Sequence, residues 1–169
     1  MGFSISSSFI LLLLLSTAAA AAPPVSPFCA TADLGSQALC PGGSRAAKTW
    51  PVAMTNAIHA ATAKAKLGIP IAKGIGGKLP PTLQPQSKES IAQTCQEAYD
   101  RILSFLDDCV GFVKDDPTAA LKPYLSSITY SDCTMVLSEF QVSLPEVDGL
   151  NKELLRLAGI LLAVLDKKP

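Results

Sequence analysis

The residues of this chain with the most informative chemistry are its five cysteines, Cys29, Cys40, Cys95, Cys109 and Cys133. No two of them form a Cys-x-x-Cys pair, and none is clustered with the single histidine, so the sequence predicts no zinc site. Cysteines of an exported protein form disulfides by default, and an odd number predicts that one thiol stays free.

Helix geometry selects one pair among the last three cysteines. Cys95 and Cys109 are fourteen residues apart on one predicted helix, hence about 21 Å apart, whereas a disulfide needs Cα atoms within roughly 7 Å. Cys133 must therefore pair with one of them. In a helical hairpin that turns near residues 115–117, Cys133 lies about seventeen residues after the turn, Cys95 about twenty before it and Cys109 about seven before it. Cys95 and Cys133 therefore lie at similar distances from the turn, which favours a disulfide between them and leaves Cys109 as a buried thiol.

No catalytic site is predicted elsewhere. The only histidine, His59, lies within an alanine-rich helix, and no motif around it would make it a general base. The Gly74–Gly77 stretch lacks the Lys-Ser/Thr ending of a phosphate loop and follows no strand. The adjacent carboxylates of Asp107–Asp108 and Asp115–Asp116 do not face each other on a helix, so they make a poor acid–base pair. We therefore predict that the chain is not an enzyme and uses neither a cofactor nor a metal.

Charge is unevenly distributed, although the formal net charge is zero. Seven basic and no acidic residues lie between Arg45 and Lys88, whereas Glu89–Pro169 contains seven basic and thirteen acidic residues. Solvent-exposed helix faces and a soluble linker explain much of this pattern. The functional interpretation is that the basic half suits acidic polymers or anionic surfaces and the acidic half suits a basic partner. Zero net charge in an exported chain argues against a nucleic-acid partner.

Residues 1–22 have the pattern of a signal peptide. The apolar run Phe9–Leu15 leads into an alanine tract, and cleavage is expected between Ala20 and Pro23. The whole apolar stretch, about 14 residues, is too short for the roughly 20 that span a bilayer. We expect a secreted, extracellular protein with no membrane partner and with one domain at residues 23–169.

Apolar residues at helical spacing predict amphipathic helices along this domain. The first covers residues 51–67, with Pro51 in its first turn, and ends where Gly68 supplies a left-handed cap and Pro70 prevents continuation. The proline- and glycine-rich residues 69–87 are predicted to form a long loop. The predicted inward face of the first helix is Met54, Ile58, Ala61 and Ala65.

The longest predicted helix covers residues 87–114 and is capped by Ser87 or Ser90. Its apolar seam repeats in steps of three and four, as in packed helices. The seam residues are Ile91, Cys95, Ala98, Ile102, Phe105, Cys109 and Phe112.

Three further helical segments follow. Asp115 or Asp116 caps the first of them, in which Pro123 predicts a late start or a bend. The second, residues 131–140, continues this helix, and the third, residues 147–168, is the last of the four predicted helices. The predicted inward residues are Leu121, Leu125, Ile128, Cys133, Val136, Leu137, Phe140, Val147, Leu150, Leu154, Leu157, Leu161 and Val164. The predicted fold class is all-α, an antiparallel, up-down four-helix bundle with disulfide bonds.

These residues resemble the plant invertase and pectin methylesterase inhibitor family over essentially the whole mature chain. The resemblance is carried by Cys29-Ala-Thr-Ala with Cys40, Thr94-Cys95-Gln-Glu-Ala-Tyr99-Asp-Arg-Ile102, Leu103–Leu106, Lys114-Asp-Asp-Pro117, Ser131-Asp-Cys133 and the leucine-rich last helix. It implies an N-terminal helical hairpin at residues 23–50 and a four-helix bundle at residues 51–169. It also implies two disulfides, Cys29–Cys40 in the hairpin and Cys95–Cys133 between bundle helices.

The resemblance further implies an inhibitor that docks on a plant enzyme and covers its substrate cleft, in the cell wall or, as the less favoured location, the vacuole. One branch of the family binds pectin methylesterase and the other binds acid invertase. Invertase inhibitors often carry Pro-Lys-Phe where this chain has Pro117-Thr118-Ala119, so pectin methylesterase is the favoured target. The candidate contacts with a basic rim on that enzyme are Asp107, Asp108, Asp116 and Thr118.

Acid invertase is the alternative target. A third interpretation, from another class, is a secreted carrier of apolar ligands. Small plant carriers of that kind have eight cysteines and this chain has five, which disfavours the carrier.

Overall fold

The computed structural model describes residues 27–29, 47–129 and 131–169. Helical residues make up 80% of this part of the chain, which contains no strand. Its α-helices are α1 (Trp50–Ala65), α2 (Gly68–Gly74), α3 (Pro85–Phe112), α4 (Pro117–Thr129), α5 (Asp132–Glu139) and α6 (Pro145–Leu165). Two short 3-10 helices cover Pro27–Cys29 and Ile75–Lys78. Among the residues described, no helix has both the length and the apolar character needed to cross a bilayer.

Prolines mark the beginnings of the four longest helices, at Pro51, Pro85, Pro117 and Pro145. A proline is tolerated in the first turn because the N–H group that it lacks has no partner within the helix there. The capping of α3 by Ser87 or Ser90 was a wrong prediction, since α3 begins at Pro85 and both serines lie inside it.

The loop predicted for residues 69–87 is wrong over its first half, where α2 and the second 3-10 helix lie. Gly68 does not adopt the left-handed conformation of a helix cap, because the described glycines have no positive φ. It is instead packed against Tyr99, and a Cβ atom on Gly68 would lie 2.6 Å from Tyr99 Cε1. Pro70 lies in the first turn of α2, where it costs no helical hydrogen bond.

Helix α3 runs antiparallel to the segment formed by α4 and α5. Near the connection, the Cys109 Sγ–H group donates a hydrogen bond to the Ala120 carbonyl oxygen at 3.1 Å. Farther from it, a disulfide joins Cys95 to Cys133, with Cα atoms 4.2 Å apart. Residue numbers fall along α3 as they rise along α4 and α5, so the two segments have opposite directions. The disulfide predicted from the distances of the cysteines from the turn is thus confirmed, and Cys109 is a buried free thiol.

Helix α6 closes the core against α1 in the same antiparallel sense. The Trp50 indole N–H donates to the Val164 carbonyl oxygen at 2.7 Å, at the beginning of α1 and the end of α6. At the other end of this pair, Lys64 Nζ lies 2.9 Å from Glu153 Oε2. Tyr124 of α4 also reaches α6, because its hydroxyl lies 3.4 Å from the Leu154 carbonyl oxygen.

The predicted inward faces of α1 and α6 are confirmed, since every residue named for them is buried. The predicted seam of α3 is confirmed for all of its residues except Phe105 and Phe112. Phe105 is half-buried and the Phe112 side chain is 49% exposed, while Leu106 and Val113 lie in the core. A straight helix has 3.6 residues per turn, so a strict seven-residue pattern drifts away from the core along a long helix.

Helices α4 and α5 depart from the predicted pattern in two respects. Helix α4 begins at Pro117, so the predicted late start is wrong, and Pro123 lies inside it. The predicted inward residues Leu121, Ile128, Cys133 and Leu137 are buried, Leu125 and Val136 are half-buried, and Phe140 is exposed.

The predicted signal peptide and the expected Cys29–Cys40 disulfide lie outside the described residues. Of the expected hairpin at residues 23–50, the structure describes residues 27–29 and 47–50.

Candidate protein-binding surface

The connection between α3 and α4 places two of the predicted contact residues in one cleft. Asp108 comes from the last turns of α3 and Asp116 directly precedes α4. We call this the α3–α4 cleft, and its volume is about 340 Å³. Its lining consists of Phe105, Phe112, Ala119, Ala120 and Pro123 together with Asp108 and Asp116. The cleft therefore combines an apolar surface with carboxylates.

Asp116 has a structural role at this position as well. Its Oδ1 atom accepts a hydrogen bond from the Ala119 N–H group at 3.1 Å, which is the interaction of a helix N-cap. This outcome agrees with one of the two caps that the sequence predicts. Because only one carboxylate oxygen is used, the other remains available for a ligand or partner.

A second open groove lies on the other side of α4, between α4 and α6. It has a volume of about 500 Å³, and we call it the α4–α6 groove. Its lining residues are Asp116, Thr118, Ala119, Leu121, Lys122, Leu125, Ser126, Leu162 and Leu165. The Leu162 side chain is 43% exposed. Asp116 and Ala119 contribute to both the groove and the cleft, so the two form one continuous surface around the first turn of α4.

The structure brings together three of the four candidate contact residues. Asp108 and Asp116 meet in the cleft, and Asp116 and Thr118 share the groove. Asp107 is exposed but lines neither. Sequence reasoning missed the exposed apolar residues Phe112 and Leu162. The seam of α3 assigned Phe112 to the core, and only the drift of a 3.6-residue helix against a seven-residue pattern could have indicated its exposure.

The carboxylates of this surface are not neutralised by ion pairs within the described part of the chain. The three ion pairs found there join Lys64 to Glu153, Lys78 to Glu146 and Arg101 to Asp132. All three lie between solvent-exposed or half-exposed side chains, and such pairs contribute little to stability. The carboxylates of the cleft are therefore not held in ion pairs within this part of the chain, and Lys122 is a basic residue that lines the adjoining groove together with Asp116.

Other candidate sites do not acquire new chemistry in the structure. His59 is exposed on α1. Within the described residues, no group of three or more His, Cys, Asp or Glu side chains could hold a metal ion.

Burial of the Cys109 thiol, followed by the nearby charge of Asp108, raises its pKa from 9.0 to about 11. Burial, followed by the charge of Asp148, likewise raises the pKa of Tyr99 from 10.0 to about 12. The unfolded chain therefore loses these protons at lower pH than the folded chain does. The stability due to these neutral groups is complete below about pH 9 and is lost as the pH rises through the folded pKa values.

We accordingly predict that the free energy of unfolding decreases as the pH is raised from 9 to 12, by up to about 1.4 kcal/mol per pH unit for each group. The midpoint of urea unfolding should decrease with it. The Cys109→Ala variant is expected to show a shallower fall between pH 9 and pH 11. A midpoint that stays constant over this range would contradict the prediction.

Comparison of the chain with protein-family models, with characterised proteins and with solved structures found no match.

Proposed function

We propose that this protein is a secreted inhibitor of pectin methylesterase that blocks the substrate cleft of the enzyme by forming a stoichiometric complex. The observation that best supports the proposal is the surface around the first turn of α4. It combines exposed apolar side chains with carboxylates that take part in no ion pair within the described residues. Apolar groups surrounded by polar ones are typical of protein-binding surfaces.

The proposed architecture is an antiparallel four-helix bundle formed by α1, α3, the α4–α5 segment and α6, with a helical hairpin at residues 23–50. The contacts of α3 with α4 and α5, of α1 with α6, and of α4 with α6 support this arrangement. The disulfide between α3 and α5 supports it further because it holds two of the four segments at a fixed level.

Inhibition of this kind needs no catalytic group on the inhibitor. A rigid helical surface loses little conformational entropy when it binds, so most of the contact energy is retained as affinity. Phe112 and Leu162 would supply apolar contact area, while Asp108 and Asp116 would pair with basic groups at the rim of the esterase cleft. Pairing of opposite charges across the rim accelerates association and makes it dependent on salt.

The test is a titration of plant pectin methylesterases with the purified exported chain. We expect residual activity to fall linearly to an end point at one inhibitor per enzyme, and added pectin to slow the onset of inhibition because both compete for one cleft. The association rate should fall as salt is raised from about 50 to 500 mM, since the Debye length shortens over this range. Several esterases that remain fully active at excess inhibitor would refute the proposal.

Acid invertases form the second arm of the same titration. The chain carries Thr118-Ala119 in place of the Lys-Phe pair of invertase inhibitors, and we expect no inhibition of cell-wall or vacuolar invertase. Inhibition of an invertase with no effect on any esterase would assign the protein to the alternative target.

A further inference from the structure

The α3–α4 cleft has an aromatic and apolar lining that is open to solvent. Phe105 and Phe112 come from α3, and Pro123 comes from the facing part of α4. The Phe112 ring is about half exposed, so one part of it is free to stack against a group that enters the cleft. At about 340 Å³, the cleft is at the lower end of the usual range for ligand sites, which suits one or two side chains of a partner.

Hydrogen-bond acceptors surround this apolar lining from two helices. Asp108 and Asp116 contribute carboxylates, and Asp116 has one oxygen that does not take part in the cap bond to Ala119.

A third acceptor follows from the position of Pro123 inside α4. The carbonyl of Ala119 points along the helix toward residue 123, which has no N–H group to donate to it. Ala119 and Pro123 both line the cleft, so a carbonyl that lacks its usual helical donor belongs to a residue of the lining.

We propose that the α3–α4 cleft is a socket for one arginine side chain of the partner protein. The guanidinium group stacks on the Phe112 ring and donates hydrogen bonds to Asp108, Asp116 and the Ala119 carbonyl. Arginine fits better than lysine because its five donors lie in one plane and the plane stacks on aromatic rings. The assignment of the partner as an esterase rests on the proposed function, whereas the chemistry of the socket does not.

The mutational test compares carboxylates inside and outside the cleft. Asp108→Asn and Asp116→Asn each remove one charge, and asparagine at position 116 preserves the helix cap. Each is expected to raise the dissociation constant of the esterase complex about tenfold or more, the usual effect of losing a hydrogen bond to a charged group. The matched control is Asp115→Asn, which removes the same charge from an exposed residue that lines neither the cleft nor the groove. It is expected to change the constant less than about threefold, as for rim charges.

Phe112→Leu keeps an apolar side chain but removes the aromatic ring, and it is expected to weaken binding about three- to tenfold. If Asp108→Asn and Asp115→Asn behave alike in a complex that forms with the wild-type chain, the socket is refuted while the proposed function survives.

A second measurement does not depend on any enzyme. Titration of the isotope-labelled chain with N-acetyl-arginine amide should shift the amide resonances of residues 108, 112 and 119. The uncharged isostere N-acetyl-citrulline amide should not shift them, and Asp108→Asn should abolish the response. Absence of a shift at millimolar arginine amide, or an equal shift with citrulline amide, would overturn the socket even if esterase inhibition is found. A specific arginine response in a chain that inhibits no esterase would retain the socket and reject the esterase as its partner.

Discussion

Removal of the Cys95–Cys133 disulfide is expected to lower the free energy of unfolding by about 4 kcal/mol, the entropy of closing a loop of this length in the unfolded chain. The two cysteines are 38 residues apart in sequence and both are completely buried. The bond ties α3 to α5 and thus fixes the level at which these segments pack. Typical domains are stable by only 5–15 kcal/mol, so the expected loss is a large fraction of the total.

The measurement is urea unfolding of the wild-type chain and of the Cys95→Ala/Cys133→Ala double variant. The matched control is Cys109→Ala, which removes a buried sulfur but leaves the disulfide intact, and it is expected to cost about 1 kcal/mol through the lost contact with the Ala120 carbonyl. Equal unfolding midpoints for the double variant and the wild-type chain would contradict the structural role of the bond.

The second large effect is expected for Gly68→Ala, with a loss of about 3 kcal/mol from overpacking. The three heavy atoms nearest to the new methyl group all belong to the ring of Tyr99, which is itself buried. The contact can be relieved only if α2 moves away from α3 or the buried Tyr99 side chain changes its position.

Gly74→Ala is the matched control, since a Cβ atom at Gly74 would meet no atom within 4 Å. It is expected to be neutral or to stabilise α2 by up to about 1 kcal/mol, because alanine favours helix more than glycine does. The measurement is the unfolding midpoint of each of the two variants and of the wild-type chain. Equal effects of the two variants would show that Gly68 has no packing role.

The part of the fold that could be predicted from the sequence is the part with regular apolar spacing. In α6 every residue of the predicted repeat from Val147 to Val164 is buried, because these apolar residues recur at helical spacing. The repeat leaves out three further buried residues, Ala158, Ile160 and Ala163. The disulfide between Cys95 and Cys133 also follows from helix geometry. The rise per residue excludes a bond between Cys95 and Cys109, and Cys95 is the one of these two that lies about as far from the turn as Cys133 does.

The segment after α1 could not be predicted because its residues have two possible roles. Gly68 and Pro70 after a helical run indicate a helix end in sequence, yet Gly68 is used for close contact with Tyr99 and Pro70 lies in a first helical turn. The contact joins residues 31 positions apart, and local patterns carry no information about it.

The candidate surface was predicted in its charge but not in its apolar component. The acidic residues near the α3–α4 connection are evident in the sequence, and Asp116 is also recognisable as a cap before Pro117. The exposure of Phe112 depends on the angle at which its side chain leaves the end of α3, a helix of 28 residues. A seven-residue pattern gives this angle wrongly at the end of a long helix, because a straight helix has 3.6 residues per turn. A site that combines both components required the packed structure.

In the proposed complex, the surface around the first turn of α4 covers the substrate cleft of the enzyme. Hydrogen exchange of the chain, free and in complex with a plant pectin methylesterase, tests it most directly. We expect slower exchange of amides within residues 105–125 and unchanged exchange in α1 and α2. Absence of any complex, or protection confined to α1 and α2 while residues 105–125 exchange as in the free chain, would contradict the account.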